Sequence, residues 1–457
     1  MRFSMGMLAL FLVGITAAGF GAEKEMVIDC DHPGGNIIVE KIEGDDVSIR
    51  QDLRDTAGWW FYWSFRVRGA EGRTLNFRFG ELEKSWHSVL GVRGPAVSLD
   101  RGQTWRWLGR ETVTPTSFTY QFAADAGDVR FSFAMPYQES NLARFLEKHE
   151  GNPHLRREVL CQSRKGRPVE VLYLGCLSRE PAFRLVFTCR HHACEMMASY
   201  ALEGAMEEIL SDTDVGKWLC ENVEFLIVPF VDRDGVEDGD QGKQRKPWDH
   251  VCDYGEGREI YPETAAIKRL VPGWTGGKLV ALMDLHCPGI RGRFHEVIMT
   301  PYRLRGADNW ERAVEFLKFL DEVQHDGPLA FRLSDSQEFT TWTGPDGPKG
   351  ANPCTFTTWA RDLPGVEFAI AFEIPYANAG GQEVNQETAR WFGHDLARAA
   401  CQWLKSKAAV LAPAAAAGNG ERALPGAGNS QTEPVAVDCD FPGGNIIVEK
   451  IEGDDVF

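Results

Sequence analysis

The chain is short of positive charge. Its 49 lysines and arginines stand against 66 aspartates and glutamates, a formal net charge of -17. A phosphate backbone needs a basic face to dock on, so nucleic acid is excluded as a partner. Closely spaced C-x-x-C pairs are also missing. The 11 cysteines are scattered, which argues against a disulfide framework. Cys161, Cys176, Cys189 and Cys220 lie in apolar runs and read as small core residues. Long apolar runs are absent with one exception, Met5 to Phe20. It follows a short basic start and precedes the small residues Gly21 and Ala22. This stretch reads as a secretory signal over residues 1–22, so a secreted or periplasmic protein is expected, with no stable membrane insertion once the signal is removed. What remains is ordinary for a globular protein: 457 residues, 43% hydrophobic and 25% charged, enough for two or three domains.

Residues 24–135 read as short strands separated by turn residues. Asn36–Val39 and Val47–Ile49 come first, followed by the aromatic run Trp59-Trp60-Phe61-Tyr62-Trp63-Ser64-Phe65-Arg66-Val67. Thr74–Phe79 alternates polar and apolar residues, as a half-buried strand should. Gln103–Trp107, Ser117–Phe122 and Val129–Ala134 continue the pattern. Short strands at this spacing predict an antiparallel β-sandwich. The aromatic run could form a binding platform for sugar or peptide, but core packing is the reading strand aromatics favour.

After Pro136-Tyr137 a helix is expected over Glu139–Lys148. Strands then alternate with helices, which predicts an α/β layer structure over residues 136–408. The expected strands are Val169–Leu174, Phe183–Thr188, Phe225–Val228, Leu279–Leu285 and Phe368–Phe372. Helices are expected near 196–210, 263–270, 308–323 and 387–405. Residues 412–434 have the Ala/Pro/Gly composition of a linker. Residues 442–456 then repeat residues 33–47 without a change. The segment 435–457 therefore reads as the truncated start of a second sandwich, two strands with no sheet of their own.

The chemistry gathers at Arg190-His191-His192-Ala193-Cys194-Glu195 and, far along the chain, Asp284-Leu285-His286. Two imidazoles and a carboxylate suit Zn²⁺, which in catalytic sites takes three protein ligands and keeps a fourth position open. His192 follows one apolar run, Glu195 opens a helix and His286 ends another apolar run. Strand ends on one edge of a parallel sheet are where open α/β folds place ligands. H-x-x-E alone is also a common solvated helix start; the remote His and the Phe372-Glu373-Ile374 element favour the metal. His191 is read as a neighbour of the site, and His250 and His295 are left without a role.

On these residues the chain resembles the zinc metallocarboxypeptidases, most closely the cytosolic carboxypeptidase branch, over roughly residues 30–405. The resemblance implies an α/β/α domain with a mixed central sheet behind an N-terminal sandwich. It implies one Zn²⁺ held by His192, Glu195 and His286, with Glu373 as general base. It also implies that Asp249 orients a zinc-bound imidazole, and that Arg245 takes the place of a carbonyl-polarising arginine. Pro229-Phe230-Val231-Asp232-Arg233-Asp234-Gly235-Val236 is similar to the N-P-D-G-V loop, with Arg233 where proline is usual. The chain departs from the pattern where an Asn-Arg pair grips the substrate's terminal carboxylate: Val251-Cys252 stands there. Lys243 and Arg245 are the cations nearby in sequence that could serve substrate instead.

Two readings follow. One is an exported zinc metallocarboxypeptidase that cleaves a C-terminal amide bond of a peptide or protein with activated water and a Glu base. The other is a catalytically impaired peptide-binding module on the same fold. An acyl-amino-acid amidohydrolase shares the metal chemistry, but the sandwich in front argues against it.

Overall fold

The computed structural model describes residues 25–58, 60–80, 89–301, 307–323, 325–341 and 352–416. The expected signal, Trp59, residues 417–434 and the repeat at 435–457 lie outside the described residues.

Two sheets pack face to face in the first part of the chain. Their strands are β1 (Val27–Asp29), β2 (Ile38–Glu43), β3 (Asp46–Arg50), β4 (Ser64–Arg68), β5 (Thr74–Phe79), β6 (Ala96–Ser98), β7 (Arg106–Trp107), β8 (Ser117–Gln121) and β9 (Val129–Ser132). One sheet runs β1-β4-β9-β6-β7 and the other β2-β3-β5-β8. Period-two alternation sends Phe65, Phe77, Phe118 and Phe131 inward, where their rings meet at centroid distances of 5.2 Å (Phe65–Phe77), 4.8 Å (Phe77–Phe118) and 5.3 Å (Phe118–Phe131). The sandwich is antiparallel except for β3 and β5, which pair in parallel. The chain visits β4 in the opposite sheet between them, so β5 returns in the direction of β3.

The expected strand from Trp59 to Val67 is shorter than its composition suggests. Only Ser64–Arg68 joins a ladder. Consecutive bulky aromatics cannot all face one side of a pleat. Trp60, Phe61, Tyr62 and Trp63 are buried instead. The Phe61 N–H donates not to a strand but to Gln241 Oε1 at 2.6 Å, and its ring meets Tyr376 of the α/β body at 5.8 Å. The aromatic run is therefore core and junction, not an open platform.

The α/β body contains α1 (Glu139–Lys148), β10 (Leu155–Gln162), β11 (Pro168–Gly175), β12 (Phe183–Cys189), α2 (Met196–Ile209), α3 (Asp214–Asn222), β13 (Val223–Val228), α4 (Arg233–Asp238), α5 (Pro262–Trp274), β14 (Leu279–His286), α6 (Ala307–Glu322), α7 (Leu333–Thr341), α8 (Phe356–Arg361), β15 (Phe368–Glu373), the short β16 (Asn378–Ala379) and β17 (Gln382–Glu383), and α9 (Gln386–Ala416). Its central sheet runs β10-β11-β13-β12-β14-β15. β10, β11 and β13 pair antiparallel, while β13, β12, β14 and β15 are parallel, so the sheet is mixed. β10 was not expected because most of its residues are exposed, which hides the apolar signal of a strand. Cys161 sits on this strand only half-buried, unlike the core cysteines. Helix α9 runs on through Ala416, so the first residues assigned to the linker continue a helix. No helix among the described residues is long and apolar enough to cross a membrane.

Helices α2 and α9 cover one face of the sheet and touch backbone to backbone. A Cβ on Gly204 would lie 2.0 Å from the Arg390 carbonyl oxygen, and one on Gly393 would lie 1.9 Å from that of Ala201. Only glycine permits this approach. After β12 the chain goes to β13 on one side and later to β14 on the other. That reversal makes the carboxyl end of β12 a switch point, where such sheets open a ligand crevice.

Candidate metal centre

The segment leaving β12 turns sharply at Arg190, which adopts φ 61°, a left-handed conformation uncommon for a long side chain. Its guanidinium is buried and repays that strain. It donates to the Ala193 carbonyl and, at 2.9 Å, to the Tyr137 carbonyl and, at 3.1 Å, to Ser199 Oγ. The turn delivers His192 and places Glu195 as the residue capping the start of α2. His286 and Glu373 arrive as the last residues of β14 and β15.

His192, Glu195 and His286 converge, each offering a ligand atom within 4.8 Å of the others. His192 Nδ1 lies 2.9 Å from Glu195 Oε1, and His286 Nδ1 lies 2.7 Å from Glu195 Oε2. The other ring nitrogens are backed by carboxylates. His286 Nε2 donates to Asp284 Oδ2 at 2.5 Å, and His192 Nε2 faces Asp249 Oδ2 at 3.5 Å. Carboxylates behind the imidazoles fix ring orientation and raise ligand basicity. Burial works against charge on all of these groups, but the partners win. Glu195 is held well below the usual carboxylate range by Lys243, His192 and His286. Both histidines are raised, His192 by Glu195 and Asp249 and His286, strongly, by Asp284 and Glu195.

A second group, His191, Asp284 and His286, also meets the geometric condition for a cation. There, however, both ring nitrogens of His191 are satisfied, one by Asp284 Oδ1 at 2.8 Å and the other by the Tyr254 hydroxyl at 2.9 Å. Burial pushes the His191 pKa down. His191 therefore reads as a neutral strut behind the site.

Glu373 is the register partner of His286 on the next strand. Its N–H donates to Met299 O at 2.8 Å, and the next residue's N–H donates to His286 O at 2.8 Å, so its backbone is clamped on both sides. Its Oε2 is closed off from solvent and has no hydrogen-bond partner. Desolvation raises its pKa, opposed by His286 and Lys243. Lys243 reaches the same place: its Nζ lies 2.8 Å from Glu195 Oε1 and donates to Cys287 O at 2.9 Å. The Phe61 ring lies 5.8 Å below the ammonium. Of the three ammonium donors, one is left over.

Arg245 is placed differently from the expectation. Its guanidinium is enclosed by Asp55 and Asp240, at 2.7 and 2.8 Å, and by Asp232. That cation is spent on three carboxylates, and the ammonium that stands beside Glu195 is that of Lys243. Val251 and Cys252 are buried in a short 3-10 turn, with Asn352 Nδ2 donating to Cys252 Sγ at 3.3 Å. His250 stacks on Tyr261 at 3.7 Å, and His295 Nδ1 contacts Arg291 O at 2.5 Å. Two residues of the motif segments were given no role from sequence. Nothing in its neighbours marks Arg190 as the turn's anchor. Asp284 did carry a signal: two positions before His286 on a strand, it must share its face.

Two imidazole nitrogens and a carboxylate, each imidazole backed by an acid and with an unpartnered carboxylate oxygen alongside, fit a zinc ion. A mixed α/β sheet with such a His-Glu-His group at its switch point defines the class, a protein of the carboxypeptidase fold with a candidate metal centre. The zinc carboxypeptidase family model matches residues 142–253, a span that includes His192 and Glu195. Cytosolic carboxypeptidase 2 of Danio rerio is 28% identical over 220 residues, 42% of this chain and 30% of that protein. Cytosolic carboxypeptidase 4 of Mus musculus is 30% identical over 147 residues, 29% of this chain and 13% of that protein. The matches thus span a minor part of these relatives. Among solved structures, a metallo-carboxypeptidase from Burkholderia cenocepacia superposes with TM-score 0.66 at 17% identity, over 84% of this chain and 100% of that one. One from Pseudomonas aeruginosa gives 0.68 at 18% identity, over 83% and 99%. Residues 142–253 thus match a zinc carboxypeptidase model, part of the chain is similar to cytosolic carboxypeptidases, and the fold is shared with metallocarboxypeptidases.

Proposed function

We propose that this protein is a zinc-dependent metallocarboxypeptidase that hydrolyses a C-terminal amide bond of a peptide. The observation that carries the reading is the convergence of His192, Glu195 and His286 beside Glu373. Zinc held there would lower the pKa of a water and polarise the scissile carbonyl. Glu373, made more basic by burial, accepts the water's proton on its unpartnered Oε2 and returns it to the leaving amine. Asp284 and Asp249 keep the two rings turned with Nδ1 toward the centre. Lys243 offers its remaining N–H to negative charge, either the substrate's carboxylate or the charge that develops on its carbonyl oxygen. We further propose that the apolar run near the start directs export; a processed amino terminus on protein recovered from the periplasm or medium would test it.

Zinc content and hydrolysis of C-terminal residues from a peptide library test the main reading. Stoichiometric zinc with turnover that is lost in Glu373→Gln is expected; turnover unaffected by that change rejects it. Val251-Cys252 supports the second reading, a peptide-binding module without turnover, since no arginine fork stands there to grip a carboxylate. Zinc and peptide binding retained with no hydrolysis would favour it.

A further inference from the structure

A cavity of about 250 Å³ opens where the sandwich meets the loop after β14. Gly91, Val92, Arg110, Val113, Pro115 and Arg291 line it. None of the metal-centre residues reaches it, and none of its lining residues is acidic. Many of the chain's arginines are spent on carboxylates, as Arg66 is on Asp29 and Arg167 on Asp234 and Asp238. Arg110 and Arg291 instead meet backbone carbonyls. Arg110 Nε donates to Val92 O at 2.8 Å. Arg291 Nε donates to Leu90 O at 2.9 Å, and its Nη2 donates to Gly91 O at 3.0 Å. These bonds fix one edge of each guanidinium and leave the rest of its five donors for something else.

Two guanidiniums are thus held near one another without a paired acid. Burial lowers the Arg291 pKa, Glu296 acts against it, and the repulsion of Arg110 adds a smaller lowering. Glu296 is the acid that Arg291 feels most, but it is not in ion-pair contact, and its Oε2 accepts from Asn378 Nδ2 at 2.8 Å. A pair of forks converging on a pocket is the arrangement that holds an oxyanion in two-pronged bonds. Beside Thr114 and the glycine backbone, Val92, Val113 and Pro115 add hydrocarbon to the wall, which gives the carbon body of an organic anion a contact that a bare inorganic ion would not use. The volume lies below the usual range for drug-sized ligands, about 300–1,000 Å³, so the ligand has few carbons.

We propose that this cavity is a binding site for a small organic carboxylate, gripped by Arg110 and Arg291 across the junction of sandwich and α/β body. The site does not depend on the metal-centre reading.

Calorimetric titration of the full chain, treated with chelator so that no carboxylate binds through a metal, tests it. Glutarate and inorganic phosphate serve as probes. One saturable glutarate site is expected, with phosphate weaker. Arg110→Ala removes an exposed side chain that makes a single backbone bond, so folding is spared, and it weakens glutarate by roughly tenfold or more. Arg291→Lys, which keeps charge but loses the fork, weakens it as well. Arg106→Ala, at the exposed position of β7, leaves it unchanged. No saturable glutarate binding, equal affinity in Arg110→Ala, or phosphate bound as tightly as glutarate would overturn the assignment.

Discussion

His286 and Glu373 stand opposite each other as register partners at the ends of β14 and β15, so the sheet's backbone hydrogen bonding sets the spacing between the proposed metal ligand and the proposed base. Glu373→Gln keeps the volume and removes the base. Hydrolysis is expected to fall by about 10²–10⁴ while bound zinc, measured by elemental analysis, stays the same. Loss of zinc together with activity would instead assign Glu373 to the ligand set.

The supporting acid behind His286 should matter nearly as much as a ligand. Asp284→Asn breaks the bond to His286 Nε2 and is expected to weaken zinc by roughly 10–100-fold, read by competition with a chromogenic chelator. Glu195→Gln should abolish stoichiometric zinc. An unchanged affinity in Asp284→Asn, with the fold intact by circular dichroism, would mean that the imidazole needs no such brace.

Lys243 separates two roles by kinetics. If its spare N–H serves substrate, Lys243→Met lowers kcat/KM by about tenfold or more even at saturating zinc, and Lys243→Arg restores part of it. Full recovery in excess zinc would show that the ammonium only props Glu195.

The contact between α2 and α9 has no room for one more carbon. Gly204→Ala drives a methyl into the Arg390 carbonyl and should cost about 1–3 kcal/mol, seen as a lower urea midpoint with the slope unchanged. Exposed Gly257 meets nothing within 4 Å but holds φ +69°; the steric term is absent there and only backbone strain remains, so a Gly257→Ala loss as large as that of Gly204→Ala would deny the crowding.

His394 sets a pH window. Burial alone would lower its pKa, but Glu207 and Glu208 outweigh it and raise it to about 9. The folded chain therefore binds this proton more tightly than the unfolded chain. The stabilisation is complete below about pH 6.5 and fades as pH rises through about 9. His394→Gln should flatten that alkaline decline by on the order of 1–2 kcal/mol after allowance for solvent screening. Urea titrations at pH 6, 8 and 10 read it; a parallel decline in both proteins refutes it.

Much of the fold was legible because periodicity carries it. Thr74–Phe79 and Glu139–Lys148 fall at their expected limits, and the parallel strands fall within a residue or two of theirs. Strand β10 was hidden because its side chains face solvent, and the aromatic run misled because it packs between two bodies, not within one sheet. The His192, Glu195, His286 and Glu373 positions could be read because His192 lies in the turn after a strand, Glu195 caps a helix, and the other two end strands. Arg245 could not: proximity in sequence says nothing of which acids will surround a guanidinium. Three of them do, contributed by Asp55 of the sandwich and by Asp232 and Asp240.

That last arrangement has a consequence for how the protein can be taken apart. The segment from Gly239 to Asp249 brings Lys243 and Asp249 to the centre, and the sandwich holds it through Asn36 Nδ2 on Gly239 O at 2.7 Å, Phe61 N on Gln241 Oε1 at 2.6 Å and Asp55 on Arg245 at 2.7 Å. The amino-terminal third is thus a splint for the part that carries the candidate metal centre, and a fragment beginning at Pro136 would be expected to lose the alignment of both side chains together.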